Sequence, residues 1–150
     1  PSLTTRLVAG QNPVRIFIDG KLEVPRDFKV YNEEAPTLVF NGLKDGEQNN
    51  IRFVKIDFER PVLLQMLKTL YQLNIQSLLL EGGSTLINSL IKQNLWDEVL
   101  VFQNPDLNFS QGIKAPVFTL KNTFELVGND QLFKHYRNET VTNPVLKEIF

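Results

Sequence analysis

The chain has 150 residues, 42% hydrophobic and 22% charged, with a formal net charge of −1 and no cysteine. A single domain of this length can bury roughly 68–70% of its unfolded surface, enough for one core. The missing cysteines exclude disulfides, thiolate metal ligands and a cysteine nucleophile, and the near-neutral balance leaves no basic face for nucleic acid and no polybasic membrane patch.

The chain opens on Pro1-Ser2-Leu3, without methionine, and is expected to be a processed protein or a piece of a longer one. No apolar run reaches the roughly 20 residues of a membrane helix, and no signal-peptide pattern begins the chain. A reducing, cytoplasmic setting is the default expectation. Residues 1–12 are polar and read as an irregular lead-in, with Thr4, Thr5 and Arg6 as solvated residues.

Residues 14–19 alternate, with Val14, Ile16 and Ile18 on one side and Arg15 and Phe17 on the other, which predicts a strand. Gly20-Lys21 ends it. Residues 22–31 carry Pro25 and mixed charges and read as loop. Thr37-Leu38-Val39-Phe40 is a continuous apolar run, the sign of a strand buried on both faces. Asn41-Gly42 and Asp45-Gly46 signal turns, and residues 47–50 continue the loop. Residues 51–56 read as a further strand.

Pro61 suits the start of a helix, and Leu63, Leu64, Leu67, Leu70 and Tyr71 follow with a helical period. Asn74 is placed to stop it in a left-handed conformation. Residues 75–80 then predict a buried strand, which turns at Gly82-Gly83 into a helix with Leu86, Ile87, Leu90 and Ile91 on one face, ending near Asn94. Residues 96–102 predict another strand. A strand–helix–strand unit with both strands apolar predicts parallel pairing under helical cover. Residues 104–116 are a long loop. Residues 118–127 and 131–136 are β-like and joined by the hairpin signal Gly128-Asn129-Asp130, and residues 142–150 form one helical turn or none. The expected fold is a three-layer α/β domain with a mixed, mostly parallel sheet and a C-terminal antiparallel hairpin.

Glu81 falls at the carboxyl end of a predicted strand, the edge where open α/β sheets bind ligands, and the alternative is a carboxylate that caps a helix or faces water. Gly82-Gly83 is either a tight strand–helix connection or a phosphate loop at a helix start. His135, the only histidine, has no acid or serine motif beside it and reads as structural. Asp97-Glu98 reads as solvated or capping. No metal-ligand cluster is visible, so no metal is expected.

Three blocks carry a family resemblance. Residues 79–86, followed by Leu95-Trp96-Asp97-Glu98-Val99-Leu100-Val101-Phe102 and Asn104-Pro105, resemble the reductase domain of the bifunctional riboflavin-biosynthesis deaminase/reductase. Pro1-Ser2-Leu3-Thr4-Thr5-Arg6 resembles its NPxLTxR segment, and Pro13-Val14-Arg15-Ile16-Phe17-Ile18-Asp19 its PxRxxxD strand. The resemblance implies a dihydrofolate-reductase-like fold and NADPH-dependent reduction of 5-amino-6-(5-phosphoribosylamino)uracil to its ribityl product. It implies Leu3, Arg6 and Glu81 on the substrate, with Arg6 on the phosphate. It implies Gly20, Gly83, Ser84, Thr85 and Leu86 on the cofactor, with Lys21 near the 2′-phosphate. The family carries a strand–helix–strand block before NPxLTxR and a zinc deaminase domain before that; neither is in this sequence, so a partial reductase domain over residues 1–150 is expected, with its activity alone left open. A non-catalytic nucleotide-binding module and a homodimerisation domain stay open as alternatives.

Overall fold

The structure, a computed structural model, describes residues 1–7, 9–119 and 123–137. The chain divides into two compact units, Pro1–Ile75 and Gln76–Phe150.

The first unit is built on four strands: β1 (Arg15–Ile18), β2 (Thr37–Asn41), β3 (Gly46–Gln48) and β4 (Ile51–Lys55), in the order β1-β2-β4-β3. β1, β2 and β4 run parallel, in register Phe17↔Val39 and Val39↔Phe53. β3 pairs antiparallel with β4 and makes the sheet mixed. The expected loop over residues 47–50 is therefore partly strand: Asn49, at φ 53, supplies the left-handed turn that folds β3 onto β4.

β2 is buried at every position, as its unbroken apolar run predicts. Its side chains divide by the two-residue period of a strand. Val39 faces a cluster with Val30, Tyr31, Ile51 and Phe53, joined by Phe17, Leu3, Leu22 and Val24. Leu38 and Phe40 face the other way, into a cluster with Ile56, Met66 and Leu70, joined by Ile16, Ile18 and Val54. The second cluster is covered by helix α1 (Val62–Gln72). The first is covered by irregular chain, namely the lead-in, residues 22–24 and a single 3-10 turn, Lys29–Tyr31.

α1 starts after Pro61 and is followed by Asn74 at φ 58, as its signals predict. Its buried stripe is Leu63, Met66 and Leu70, whereas Tyr71 is 54% exposed. The expected stripe through Tyr71 is rotated because Met66, one turn before Leu70, takes the inward position.

The second unit holds helix α2 (Ser84–Lys92) and three strands, β5 (Glu98–Gln103), β6 (Glu125–Val127) and β7 (Asp130–Tyr136), ordered β5-β7-β6 and all antiparallel. The β6–β7 hairpin turns at Gly128, φ 63, as predicted. Two expectations are overturned. Residues 75–80 form no strand, and Leu79 is 80% exposed. β5 pairs antiparallel with β7 and not parallel with that segment. A strand exists only through its ladder; β5 spends its hydrogen bonds on β7, and the apolar run at 78–80 finds no ladder partner among the described residues. Residues 118–119 and 123–124 are also irregular, so the C-terminal β segment is shorter than expected. The expectation for residues 142–150 lies outside the described residues. No helix among the described residues is long and apolar enough to cross a membrane.

Phe40 is fully buried and Leu38 nearly so. Phe40→Ala should cost about 3–5 kcal/mol and Leu38→Ala about 2–5 kcal/mol, read as the drop in the urea midpoint. Leu79→Ala, at an exposed position, should stay within about 0.5 kcal/mol.

Candidate functional site

β1 carries a buried ionisable residue at its start and another just past its end. Asp19, 7% exposed, follows the strand and turns its carboxylate back on the chain: Oδ1 accepts from the Glu23 amide and Oδ2 from the Val24 amide, both at 2.9 Å. The Leu22 amide donates to the Asp19 carbonyl at 3.1 Å. The carboxylate thereby shapes the turn that presents Gly20 and Lys21 at the carboxyl edge of the parallel strands, where such sheets receive ligands. The Gly42 amide donates to the Gly20 carbonyl at 2.9 Å, which ties the chain after β1 to the chain after β2. Phe58 lies against both glycines; a Cβ on Gly20 would stand 3.3 Å from its ring.

At the other end of β1, Arg15 is 1% exposed. Its Nη1 donates to the Lys29 carbonyl at 3.0 Å and to Asn32 Oδ1 at 2.7 Å, and more loosely to the Ser2 carbonyl at 3.4 Å. Its Nη2 donates to the carbonyls of Asn32 and Ala35. Burial pulls the guanidinium pKa down, and the field of Glu34 opposes that shift.

The lead-in bears Leu3 and Arg6. Leu3 is partly buried on the cluster beneath the irregular cover, at φ 50. The Thr5 amide donates to Asn12 Oδ1 at 2.9 Å, and Asn12 Nδ2 donates to the Glu34 carbonyl at 2.7 Å. Arg6 is exposed, next to this tether, and makes no ion pair among the described residues. Leu3 and the turn after Gly20 meet through one cluster, since Leu22 packs against it too.

In the second unit, Glu81, Gly83, Ser84, Thr85 and Leu86 form one coil-to-helix junction. Gly83, at φ 57, is the N-cap of α2, with no side chain closing the cap. The first helical bond runs from the Ile87 amide to the Gly83 carbonyl at 3.1 Å, so the first-turn amides of Ser84, Thr85 and Leu86 have no intrahelical acceptor. A Cβ on Gly82 or Gly83 would meet nothing within 4 Å, which leaves the backbone open to approach. These donors at the positive end of a helix fit an anionic pyrophosphate. Glu81 is exposed coil, not the end of a buried strand as expected. The reason is the missing ladder at residues 75–80.

A cavity of about 430 Å³ in this unit is lined by Trp96, Phe118, His135 and Tyr136 among others, and by none of the sequence-predicted site residues. His135 is buried with its ring edge-on to Phe118 at 4.7 Å, a packing role as predicted. The exposed Asp97 pairs with a partly buried Arg137 at 2.7 Å.

The sequence reading passed over Asn12, Asp19 and the role of Arg15. The local trace of Arg15's role is only that it shares a strand face with Phe17; the cover over that face comes from distant residues such as Val30 and Tyr31. Asp19-Gly20 was a turn signal.

A family model, the RibD C-terminal domain, matches residues 1–107. The chain is 36% identical over 101 residues to 2,5-diamino-6-ribosylamino-4(3H)-pyrimidinone 5′-phosphate reductase of Archaeoglobus fulgidus, covering 63% of this chain and 46% of that protein. It is 35% identical over 112 residues to riboflavin biosynthesis protein RibD of Aquifex aeolicus, covering 71% and 32%. Among solved structures, a diaminohydroxyphosphoribosylaminopyrimidine deaminase/5-amino-6-(5-phosphoribosylamino)uracil reductase of Thermotoga maritima superposes with a TM-score of 0.71 at 27% identity, over 89% of this chain and 40% of that one. The chain thus spans less than half the length of each of these proteins.

Gly83 is left-handed and Gly82 is not, so the two glycines make contrasting predictions. Gly83→Ala should destabilise by about 1–2 kcal/mol through backbone strain, whereas Gly82→Ala should be nearly neutral. Thermal unfolding followed by circular dichroism reads both.

Proposed function

The chain belongs to the RibD C-terminal domain family, and on that premise we propose that it is a partial reductase domain that binds NADPH and a phosphorylated ribosylaminopyrimidine. The reaction is reduction of 5-amino-6-(5-phosphoribosylamino)uracil to its ribityl product. The observation that carries this reading is the α2 start: a left-handed, open Gly83 whose following amides are uncapped, with the exposed Glu81 two residues before it. The names of the two relatives' substrates agree on the phosphorylated ribosylamino arm and differ on the pyrimidine, which carries a 2-amino group in one and a 2-oxo group in the other. Recognition therefore falls on the shared arm.

When bound, NADPH supplies the hydride that converts C1′ of the opened ribosyl chain to a methylene, with a proton from solvent completing the amine. The chain's own residues position and neutralise. Amides of Ser84, Thr85 and Leu86 hold the pyrophosphate at the positive helix end. Gly20 lets the cofactor approach the backbone after β1, and Lys21 offers its 2′-phosphate a cation. Arg6 takes the substrate phosphate, for which a guanidinium offers a bidentate fork. Leu3 contacts the substrate's apolar face, and Glu81 accepts hydrogen bonds near its reacting end. Precise placement, more than acid–base chemistry, is what hydride transfer asks of these groups. The whole protein acts in the cytoplasm and joins this domain to a deaminase domain.

A second reading, self-association as a homodimer, has one observation in its favour: Leu100, Phe102 and Val127 are exposed on one face of the β5-β7-β6 sheet, at 48%, 57% and 47%.

Titrating NADPH while following Trp96 emission should give a saturable change; none up to millimolar cofactor removes the cofactor reading. In the full-length protein, Arg6→Ala should raise KM for the phosphorylated substrate by roughly 10–100-fold, the equivalent of a lost charge-assisted bond. Glu81→Gln should lower kcat/KM. Unchanged kinetics in both variants would remove the substrate assignments.

A further inference from the structure

We propose that Arg15 is a positioning residue whose fork sets the conformation of the segment bearing Leu3 and Arg6, and through it the binding of the phosphorylated substrate. This inference rests on the substrate reading above for its functional half; its structural half stands on the contacts alone.

Arg15 is a buried cation, and no carboxylate among the described residues is hydrogen-bonded to it. Its acceptors are four main-chain carbonyls and one amide oxygen, drawn from three stretches of chain: Ser2, Lys29 and residues 32–35. Carbonyls in a loop have no ladder to satisfy them, and a planar guanidinium meets several at fixed angles where an ammonium does not. The Asn50 side chain donates to the same Asn32 and Ala35 carbonyls, at 2.9 and 2.6 Å, so residues 32–35 are held from two sides.

The lead-in meets Arg15 itself near its start, at 3.4 Å, and residues 32–35 near its end. The Ser2 carbonyl, on Arg15, shares its peptide plane with the Leu3 amide. The Thr5 amide is on Asn12, and Asn12 reaches the Glu34 carbonyl, between two residues that Arg15 grips. Between these fastenings Leu3 sits at φ 50, which a branched-chain residue adopts only when its surroundings impose it. Arg6 leaves the far fastening with its side chain exposed. A bidentate phosphate contact depends on the guanidinium's direction, so a loop whose backbone is set in advance spares the cost of ordering it on binding.

The test uses Arg15→Lys in the full-length protein, which keeps the charge and loses the fork. Backbone amides of residues 3–6 should exchange faster with deuterium, while those of β1, β2 and β4 and the NADPH affinity stay as in wild type. KM for the phosphorylated substrate should rise about tenfold with kcat little changed. In an Arg6→Ala background the same substitution should add nothing to KM. Asn12→Ala removes the outer fastening without touching the core, should loosen residues 3–6 in the same selective way, and decides the matter if Arg15→Lys does not fold. Unchanged exchange at residues 3–6, or loosening spread evenly across the sheet with additive effects on KM, overturns the proposal. A wild-type protein that binds no phosphorylated pyrimidine, with selective loosening in both variants, overturns the substrate reading and leaves the clamp standing.

Discussion

Satisfying the backbone of an irregular cover is the constraint on which the first unit depends. Its parallel trio β1, β2 and β4 must be shielded on both faces, and α1 shields only one. Loops shield the other, and loop carbonyls and amides left without partners cost about as much as lost hydrogen bonds. The chain answers with buried polar side chains: Arg15 for carbonyls of the lead-in and residues 29–35, Asp19 for the amides of Glu23 and Val24, and Asn41, fully buried, for the Leu43 and Lys44 amides at 2.9 and 2.8 Å. Each would be expensive alone in an apolar core. Here each is surrounded by groups that need it.

The same devices define what the unit can present to a ligand. A loop wired from beneath by Arg15 or Asp19 keeps its outer face available, because its own hydrogen bonds are already made inward. Arg6 and the Gly20-Lys21 turn are outer faces of that kind. The second unit uses another device, a left-handed glycine that starts a helix without a side-chain cap. It leaves main-chain donors unspent, which suits an anion and tolerates variation in the side chains around it.

Some features were legible from residue order alone, for reasons of short range. The alternation of β1, the unbroken run of β2, the stops at Asn74 and Asn94 and the turn at Gly128 are each dictated by a few neighbouring residues, through side-chain period or permitted φ. The glycine pair ahead of α2 was legible for the same reason, and so was the family, whose motifs are contiguous. Failures occurred where the deciding partner is distant. Residues 75–80 have the composition of a strand and lack a ladder; residues 46–48 have the composition of a loop and gain one from β4.

What the sequence determined by itself is thus the local repertoire: which segments favour strand, helix or turn, which residues bear charge, and which motifs the chain shares with a reductase family. Tertiary structure decided the pairing of the strands, the exposure of Glu81 and the inward turn of Arg15 and Asp19. The physical reason is that hydrogen bonds between segments and the desolvation of a charge depend on atoms many residues away, and no local pattern encodes those atoms' positions.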